Sequence, residues 1–477
     1  MTQWRYINLV DQDEFVNFYE EADDFFMKKP LQFSNGDLIW PFIRCKILFA
    51  FLSFRYDLEP PHARRGDEKF SVLSYISDMF KLRHSKRLHE TFPIVFFTTA
   101  ASRDFVKDGK YFNRLHDYFA FLRREETLEV EQSFRMKYRL PAYFENIISF
   151  DKLLIEVVLR GGFSIRFPQK SKLKQHSETI FDFLKAKKLD FDVCEIYRLL
   201  SKFERRILVA EKIFEKFLRK FRPKVIFVHC ASYGGLINSV LVRVAKKLGI
   251  VVCEFQHGVI TKAHPAYNYG ETVCRSAEYI KYLPDYLLTY GDFWNGNMVF
   301  PNKCVTIGNP GFWEHYNGKK FYKEKRVLIV SQGSLTKEYV GLAKALSRML
   351  PSDYEILFKL HPGEVPFEER YRELYELKNV IVVKTGNIYN YLRETKYVIS
   401  ICSTTIFEAF ALGNVVFVYS HPLARLHIPP DIGFWVDGPE EIAKKILKGV
   451  EPTQRHKIDY FFERDWADNY VNFLKNI

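Results

Sequence analysis

Short apolar runs that end abruptly in polar residues recur through the second half of the chain. EILFKL (355–360) is followed by HPGE (361–364), and YVISI (397–401) is followed, after a single cysteine, by the hydroxyl-rich STT (403–405). Continuous apolar runs of this length are typical of strands buried in a parallel sheet. Because ligands of open α/β sheets bind beyond the carboxyl ends of such strands, we expect the two polar ends to line one phosphate or nucleotide pocket.

The alternation of apolar runs with helical patterns predicts two α/β units. FPIVFF (92–97) is the first run with the character of a buried strand. The first series continues with KVIFVH (224–229), VVCEF (251–255), DYLLTY (285–290) and CVTI (304–307). The second series comprises VLIVS (327–331), EILFKL, NVIVV (379–383), YVISI and FVY (417–419). Strands alternating with helices indicate βαβ units, so we predict an α/β fold of two Rossmann-like parallel-sheet domains that face a cleft.

The same pattern divides the chain into four regions. Residues 1–90 are predicted to be helical. Residues 91–315 are predicted to form the first Rossmann-like domain, with a helical insertion at about 130–222. Residues 326–450 are predicted to form the second Rossmann-like domain, and residues 451–477 a C-terminal helix that packs back on the first.

Hydroxyl and imidazole groups at two strand ends are candidates for binding an anion. A helix start presents free N–H groups, so the turn Ser403–Thr405 is predicted to bind phosphate together with His361. Glu408 could accept hydrogen bonds from ribose hydroxyls, or it could form a capping box with Thr405. Glycine at position 333 allows a phosphate to approach the backbone closely. The candidates on this side are Gly333, Ser334, Lys359, His361, Pro362, Ser403, Thr404, Thr405 and Glu408.

The strand VVCEF of the first series ends in a histidine that could serve acid/base chemistry. The ordinary pKa of histidine lies near neutral pH, so His257 is a candidate acid/base group; the alternative is a structural histidine at a strand end. The neighbouring candidates on this side are Gln256, Gly258, Asp104 and Asp108. Arg103, His116 and Asp117 lie in the same region after the first strand, where a loop could meet a substrate.

Composition and charge narrow the choice of partners. The chain has 477 residues and a net charge of +13, which favours anionic partners such as a nucleotide or an acidic membrane surface. The basic runs KLRHSKR (81–87) and KSKLK (170–174) lack the aromatic and glycine signatures of RNA-binding modules, so no nucleic-acid partner is expected.

Hydropathy and cysteine usage predict a cytoplasmic protein. No apolar run reaches the roughly 18–20 residues of a spanning helix, and the polar opening MTQWRYINLVDQDEF is unlike a signal peptide. The strongest apolar segment, GDLIWPFIRCKILFAFLSF (36–54), is interrupted by charges and predicts a packed helix. Seven scattered cysteines suggest reduced thiols. Docking at the inner face of the membrane is compatible with the positive charge.

The order of these motifs resembles that of the GT-B glycosyltransferases of bacterial capsule and surface polysaccharide synthesis. The layout is similar to that of the CDP-glycerol and polyol-phosphate transferases and of the HP-motif sialyl- and polysialyltransferases. The residues that carry the resemblance are His257-Gly258, Gly308-Asn309-Pro310, His361-Pro362 and Ser403-Thr404-Thr405 with Glu408. The chain departs from the teichoic-type signature at Gln256, where those enzymes carry tryptophan, and at Ile401-Cys402, where they carry aspartate and tyrosine.

The resemblance implies a metal-independent transferase that moves a sugar from a nucleotide-activated donor to a growing surface polysaccharide or glycolipid. A CMP- or CDP-linked donor is preferred, and a UDP-linked donor is compatible. The nucleotide sugar is a co-substrate, and no cofactor or metal is expected, since both D-x-D triplets (11–13 and 190–192) lie in helical surroundings. His257 and His361 are the catalytic candidates; the first would act on the acceptor and the second on the donor phosphate.

Three alternatives remain open at this level. A nucleotide-sugar epimerase shares the layout of two Rossmann-like domains. A polyol-phosphate transferase would use a CDP-polyol in place of a nucleotide sugar. A basic scaffold at the membrane surface would bind no nucleotide and would tolerate the loss of His361.

Overall fold

A computed structural model describes residues 12–55, 58, 71–82, 91–162, 170–316, 323–453 and 457–477. The helices and strands of the first half are, in chain order, α1 (Gln12–Lys28), α2 (Trp40–Arg55), α3 (Val72–Lys81), β1 (Ile94–Thr99), β2 (Phe105–Lys107), β3 (Lys110–Phe112), α4 (Asp117–Leu122), β4 (Thr127–Gln132), β5 (Ile147–Ser149), α5 (Asp151–Gly162), α6 (Lys170–Ala186), α7 (Val193–Phe221), β6 (Val225–Val228), α8 (Gly235–Lys247) and β7 (Val251–Phe255).

The second half continues the same alternation of helices and strands. Its elements are α9 (Glu271–Cys274), α10 (Ala277–Ile280), β8 (Tyr286–Thr289), α11 (Asp292–Asn295), β9 (Lys303–Thr306), α12 (Pro310–His315), β10 (Lys323–Val330), α13 (Thr336–Met349), β11 (Glu355–Lys359), β12 (Val380–Val383), α14 (Ile388–Glu394), β13 (Thr395–Ser400), α15 (Thr404–Leu412), β14 (Val415–Tyr419), α16 (Pro422–His427), β15 (Phe434–Val436), α17 (Pro439–Leu447), α18 (Ile458–Phe461) and α19 (Trp466–Lys475). Short 3-10 segments include Gly333–Leu335 and Val365–Glu376.

Two separate parallel sheets confirm the predicted α/β fold. The first has the strand order β5-β4-β1-β6-β7-β8-β9 and the second the order β12-β11-β10-β13-β14-β15. All neighbouring strands in both sheets are parallel. The central strands are buried on both faces, as their apolar sequences require. The layout is that of two Rossmann-like units, in the GT-B manner.

The helical insertion in the first Rossmann-like unit begins later than the sequence predicts. Residues 147–149 form β5, the edge strand of the first sheet, and β4 also belongs to that sheet. The helices begin only at Asp151. A three-residue edge strand carries too short an apolar pattern to be recognised in a sequence, and for this reason the prediction of a helical insertion from about residue 130 is wrong at its start.

Helix α2 confirms the packed helix predicted for the apolar segment 36–54. Most of its residues are buried, and Arg44, one of the charged residues that interrupt the segment, pairs with the buried Asp23. The Arg44 guanidinium donates to both carboxylate oxygens of Asp23 at 2.7 and 2.9 Å and to the carbonyls of Pro265 and Asn268 at 2.7 Å. Because these bonds satisfy the buried charge, α2 packs in the core. None of the helices in the described part of the chain combines the length and apolar character of a membrane-spanning segment.

A second buried arginine corrects a sequence-based interpretation. Arg103 is fully buried, and it contacts Glu129 and Glu131 of β4 and Asp117 at the start of α4. Burial raises the pKa of Glu129 well above its ordinary value. Arg103 and Asp117 therefore hold the loop after β1 against β4 and do not meet a substrate. His116 is likewise buried, and burial lowers its pKa to about 3.

The C-terminal segment returns to the first sheet as two short helices. Tyr470 and Phe473 of α19 pack on side chains of that sheet. Two glycines at strand ends allow this approach: a Cβ at Gly291 would lie 2.6 Å from backbone atoms of Phe461, and one at Gly308 would lie 2.5 Å from the carbonyl oxygen of Glu463. The C-terminal segment therefore packs against the turns after β8 and β9.

Candidate functional site

A cavity of about 520 Å³ lies between the carboxyl ends of the two sheets. The first unit contributes the loop after β1 and the segments after β7 and β8; the second contributes the segments after β10, β11 and β13. Lining residues from the two units include His257 and Tyr290 on one wall and Lys359, His361 and Ser403 on the other. This is the position in which parallel α/β sheets bind ligands.

The hydroxyl cluster forms the start of a helix at this cavity. Ser403 is the N-cap of α15, and its hydroxyl accepts a hydrogen bond from the backbone N–H of Thr405 at 3.3 Å. Ser403 and Thr404 are partly exposed, whereas Thr405 is buried, and all three line the cavity. The first N–H groups of a helix and the positive end of its dipole favour an anion at this point. Capping and ligand binding are therefore compatible here.

Glu408 does not form the predicted capping box. The cap is Ser403, so Glu408 lies beyond the third helical position that a capping box requires. Its carboxylate instead accepts a hydrogen bond from the Tyr389 hydroxyl at 2.8 Å. Burial raises the pKa of Glu408, while the bond from Tyr389 and the charge of Arg114 oppose that rise. Glu408 lines the cavity, and its carboxylate can accept hydrogen bonds from sugar hydroxyls.

Lys359 brings a cation to the end of β11. Its side chain is nearly buried, lines the cavity and donates to the carbonyl of Leu360 at 2.9 Å. Burial lowers the pKa of Lys359, and the carboxylates of Glu364 and Asp104 act in the opposite direction. A cation of low exposure inside a cleft interacts strongly with a bound phosphate, because little water screens it.

The turn after β11 is organised by Glu364. Its carboxylate accepts hydrogen bonds from the backbone N–H of His361 at 2.6 Å, from the Ser331 hydroxyl at 2.8 Å and from the Tyr371 hydroxyl. The imidazole of His361 is exposed, and its Nδ1 accepts from the N–H of Gly363 at 3.1 Å. With Nδ1 acting as an acceptor, the proton of a neutral His361 lies on Nε2. His361 and the exposed Pro362 form one rim of the cavity.

Gly333 has a different neighbour from the predicted phosphate. A Cβ at this position would lie 3.0 Å from Cγ of Glu364. The missing side chain therefore makes room for the carboxylate that organises the turn after β11. Ser334, the next residue, lines the cavity on the wall where the donor is predicted to bind.

His257 lies on the opposite wall, two residues after the last residue of β7. Its Nε2 is 3.3 Å from the Tyr233 hydroxyl and 3.6 Å from Sγ of Cys230, and its Nδ1 is 3.4 Å from the Tyr267 hydroxyl. Burial lowers the pKa of His257 to about 4. The imidazole is therefore neutral at pH 7 and has a nitrogen lone pair with which it can accept a proton.

The four neighbouring candidates on this wall have different positions. Gln256 is fully buried; its amide donates to the carbonyl of Gly258 at 2.8 Å and accepts from the N–H of Tyr290 at 2.9 Å, so it shapes the turn. A Cβ at Gly258 would lie 4.0 Å from Oγ1 of Thr404, which places this turn beside the start of α15. Asp104 lines the cavity.

Asp108 is exposed at the tip of the β2–β3 hairpin, where its φ is 49° and that of Gly109 is 72°. Aspartate tolerates this left-handed conformation better than most residues. Its place in the sequence is therefore explained by the turn, and the predicted acceptor-side role finds no support in its position.

Sequence reasoning missed Arg114 and two tyrosines. Arg114 lines the cavity; its Nε lies 3.6 Å from the Asp104 carboxylate, and its charge acts on Glu408 across the cleft. Tyr290 and Tyr389 line the same space. Arg114 follows the small hairpin in a run without a recognisable motif, so only the folded chain brings it to the cavity. Arg114 and Lys359 thus bring two cationic side chains to the cavity, beside the carboxylates of Asp104 and Glu408.

Direct contacts join the two units around the cavity. Oγ1 of Thr261 lies 3.0 Å from Nδ1 of His427, and Nδ2 of Asn387 lies 2.9 Å from Nε2 of His315. The buried Trp294 packs edge-on against Phe407 of α15. These polar and aromatic contacts therefore fix the positions of the two cavity walls relative to each other.

The chain thus consists of two parallel-sheet Rossmann-like units with a polar cavity between their carboxyl edges. No protein-family model matches it. Over 140 residues it is 32% identical to an uncharacterized protein of Methanocaldococcus jannaschii. This match covers 26% of the chain and about a quarter (25%) of the relative's length.

Several solved structures share part of the arrangement. The UDP-GlcNAc 2-epimerase of Neisseria meningitidis, bound to UDP-GlcNAc, aligns over 80% of this chain and 99% of its own with 12% identity and a TM-score of 0.45. The UDP-GlcNAc 2-epimerase of M. jannaschii gives the same coverage and identity with a TM-score of 0.41. That of Rickettsia bellii aligns over 81% of this chain and 96% of its own with 12% identity and a TM-score of 0.42. The fold assignment rests on the two sheets of this chain themselves.

Proposed function

We propose that this protein is a glycosyltransferase that takes a sugar from a nucleotide-activated donor in the cleft between its two units. The observation that carries the proposal is the pairing of two walls in one cavity. One wall has an electropositive helix start with hydroxyl groups, and the other has a neutral histidine. Group transfer from a nucleotide sugar requires a site that stabilises the leaving phosphate and a base that deprotonates the acceptor hydroxyl.

In this proposal the donor phosphate lies against Ser403, Thr404 and the start of α15. Lys359 and Arg114 neutralise the charge that develops as the leaving group departs, which is the task that a metal ion performs in other transferases. His361 donates from Nε2 to a phosphate oxygen, and Glu408 accepts from the ribose hydroxyls. The preference for a CMP- or CDP-linked donor over a UDP-linked one rests on the resemblance of the motifs.

Removal of single donor-side groups is expected to weaken nucleotide binding. A hydrogen bond to a charged group contributes about 1.5–3 kcal/mol, so Ser403→Ala and His361→Ala should each raise the nucleotide Kd about tenfold or more. Isothermal titration calorimetry with the nucleotide that the wild-type protein binds measures the change. Nucleotide affinity that stays at the wild-type value in both folded variants would contradict the donor assignment.

A matched control separates the loss of a ligand contact from the loss of a helix cap. Ser276 is the N-cap of α10, and its hydroxyl accepts from the N–H of Tyr279 at 3.2 Å, as Ser403 does for its own helix. Ser276→Ala should destabilise the protein by a similar amount, about 0.5–2 kcal/mol, and leave nucleotide affinity unchanged.

The reaction type is tested without an acceptor. A glycosyltransferase incubated with its nucleotide sugar alone slowly releases nucleotide, because water replaces the acceptor hydroxyl. A nucleotide-sugar epimerase produces a second nucleotide sugar, and a polyol-phosphate transferase leaves nucleotide sugars intact but cleaves a CDP-polyol. Phosphorus and proton NMR of the same mixture distinguish the three outcomes, and only the first supports the proposal.

We further propose that the acceptor is a glycan or glycolipid and that the protein works in the cytoplasm at an anionic membrane surface. Helix α3 supports this docking by an exposed apolar face: Leu73 is 82% exposed, and Val72, Ile76 and Phe80 are also exposed. The ammonium group of Lys152 on α5 lies 5.0 Å from the centre of the Phe80 ring. Apolar side chains flanked by lysines favour an interface rich in acidic headgroups.

The same α5 helix also carries exposed Ile155 and Leu159. Basic residues of the run 81–87 continue from the end of α3; residues 83–87 lie outside the described part of the chain. The exposed apolar side chains and the ammonium group of Lys152 therefore match one partner, an anionic phospholipid surface.

Charged substitutions on this face should weaken vesicle binding. Burial of one large apolar side chain contributes about 1.5–3 kcal/mol, so Leu73→Glu with Phe80→Glu should reduce co-sedimentation with phosphatidylglycerol vesicles at least about tenfold. Ile381→Glu, at an exposed position of the second unit, is the control. Equal sedimentation of the double variant and the control would contradict the docking surface.

A further inference from the structure

We infer that the buried carboxylate of Glu254 is the final acceptor of the proton that His257 removes from the sugar acceptor, and that Tyr267 carries the proton between them. This inference rests on the proposed function, because it assigns the acceptor hydroxyl to His257. It makes Glu254 and Tyr267 positioning residues, since neither needs to touch the substrate.

The three groups form a continuous line from the cavity into the core. Nδ1 of His257 is 3.4 Å from the hydroxyl of Tyr267, and that hydroxyl is 2.7 Å from Oε1 of Glu254. On the other side of the imidazole, Nε2 is 3.3 Å from the Tyr233 hydroxyl, which is 3.2 Å from Nε2 of His264. His257 and His264 both line the cavity, whereas Glu254 and Tyr267 are buried.

A single backbone contact fixes the direction of these hydrogen bonds. The N–H of Ala266 donates to Nδ1 of His264 at 3.2 Å, so a neutral His264 carries its proton on Nε2 and donates it to the oxygen of Tyr233. The Tyr233 hydroxyl then donates to Nε2 of His257. That leaves the proton of His257 on Nδ1, 3.4 Å from the Tyr267 hydroxyl; the backbone carbonyl of Phe255 also accepts from the imidazole.

The hydrogen bonds from His257 to Tyr267 and from Tyr267 to Glu254 run in the same donor-to-acceptor direction. An ionised Glu254 can only accept, so the Tyr267 hydroxyl donates to it and its oxygen is available to the Nδ1 proton of His257. The five groups therefore share one donor-to-acceptor order, and Nε2 of His257 is the unprotonated nitrogen. A base with its lone pair on Nε2 and its proton directed at a carboxylate is prepared to take a proton from the cavity.

The surroundings of Glu254 suit a proton store. Its Oε2 accepts from the backbone N–H of Ser232 at 2.8 Å and from the Ser232 hydroxyl at 2.5 Å. Burial raises the pKa of Glu254 to about 7, against the lowering effect of the bonds from Ser232 and Tyr267. Other titratable groups that its charge reaches are Cys45 of α2, Cys230 and Tyr233 after β6, and Tyr269. A carboxyl group in this state exchanges its proton near neutral pH.

The proton step balances without any further reactant. The acceptor hydroxyl takes the place of the Tyr233 hydroxyl at Nε2 of His257 and gives up its proton there as its oxygen attacks the sugar carbon. His257 releases its Nδ1 proton to the oxygen of Tyr267, and Tyr267 releases its own hydroxyl proton to Oε1 of Glu254. The histidine and tyrosine end neutral, the carboxylate ends as the acid, and the negative charge leaves on the nucleotide.

Kinetics as a function of pH test the assignment. Because the store must be ionised, wild-type kcat should fall as the pH drops through about 7. Glu254→Gln and Tyr267→Phe should each lower kcat by about 10²-fold, the lower end of the range for acid/base groups, without this pH dependence and with the donor KM unchanged. The double variant should be no slower than either single variant, because both interrupt one path.

Ser232→Ala is the matched control, since it removes a bond to Glu254 but leaves the path to His257 intact. The bonds from Ser232 lower the pKa of Glu254, so this variant should retain the kcat plateau and show its acidic decline at higher pH. A Glu254→Gln enzyme that keeps both the wild-type plateau and the acidic decline would overturn the inference.

A measurement on the free protein separates this inference from the proposed function. In ¹⁵N-histidine NMR, the proton of His257 should stay on Nδ1, and the chemical shift of that nitrogen should change as Glu254 titrates near pH 7 in the wild-type protein; no such change should occur in Glu254→Gln. The change without any transferase activity would refute the function and keep the proton path. Its absence from a wild-type protein that transfers sugar would refute the path alone.

Discussion

His257→Ala is expected to lower turnover by about 10²–10⁴-fold, the usual contribution of a positioned acid or base. Burial holds the pKa of His257 at about 4, so at pH 7 the wild-type imidazole is a neutral base on the cavity wall opposite the helix start of α15. The variant should bind nucleotide almost as tightly as the wild-type protein, because His257 is not among the groups assigned to the donor. Steady-state kinetics together with calorimetric nucleotide titration measure the two effects separately.

A histidine outside the cavity provides the control for this prediction. His176 on α6 contacts only the carbonyl of Gln32 among the hydrogen bonds of the described residues, at 3.2 Å, and His176→Ala should retain normal turnover. The assignment is falsified if folded His257→Ala also retains near-normal turnover. If nucleotide binding disappears along with turnover, His257 belongs to the donor side.

Arg103→Met is expected to destabilise the fold by about 3–5 kcal/mol, as does removal of one partner from other buried ion clusters. The guanidinium is fully buried among Glu129, Glu131 and Asp117. Without it, these carboxyl groups lose their positive partner in a region from which water is excluded. Urea unfolding of the wild-type and variant proteins measures the difference in free energy of unfolding.

Arg114→Met is the matched comparison, because Arg114 is the partly exposed arginine of the same loop region. This second substitution should change the free energy of unfolding little and weaken nucleotide binding instead. Equal stability losses in the two variants would contradict the division between a structural and a ligand-facing arginine.

The strand ends at the cavity could be predicted from the sequence because their signals are local. Apolar runs before HPGE and before Ser403 indicate buried strands, and both segments end at the cavity in the folded chain. His257 could be singled out for the same reason, since it follows a five-residue buried strand.

The remaining features depend on contacts between distant residues. Gln256 was a candidate for contact with the acceptor, and its amide instead bonds to two backbone groups, one of them 34 residues away. Glu254 reads as an interruption of an apolar strand, and only the fold brings Ser232 and Tyr267 to its carboxylate. Burial and non-local partners decide the role of such residues, and neither is encoded in a local pattern.

The central claim is that a nucleotide binds in the cavity with its phosphate at the Ser403 turn. The most direct measurement is the melting temperature of the wild-type protein and of Ser403→Ala in the presence of CMP, CDP, UDP, GDP or dTDP. A ligand that binds only the folded state stabilises it in proportion to the logarithm of its concentration. We expect at least one of the five nucleotides to raise the wild-type melting temperature in this way and to raise that of Ser403→Ala much less. No shift with any nucleotide, or an equal shift in both proteins, would contradict the claim.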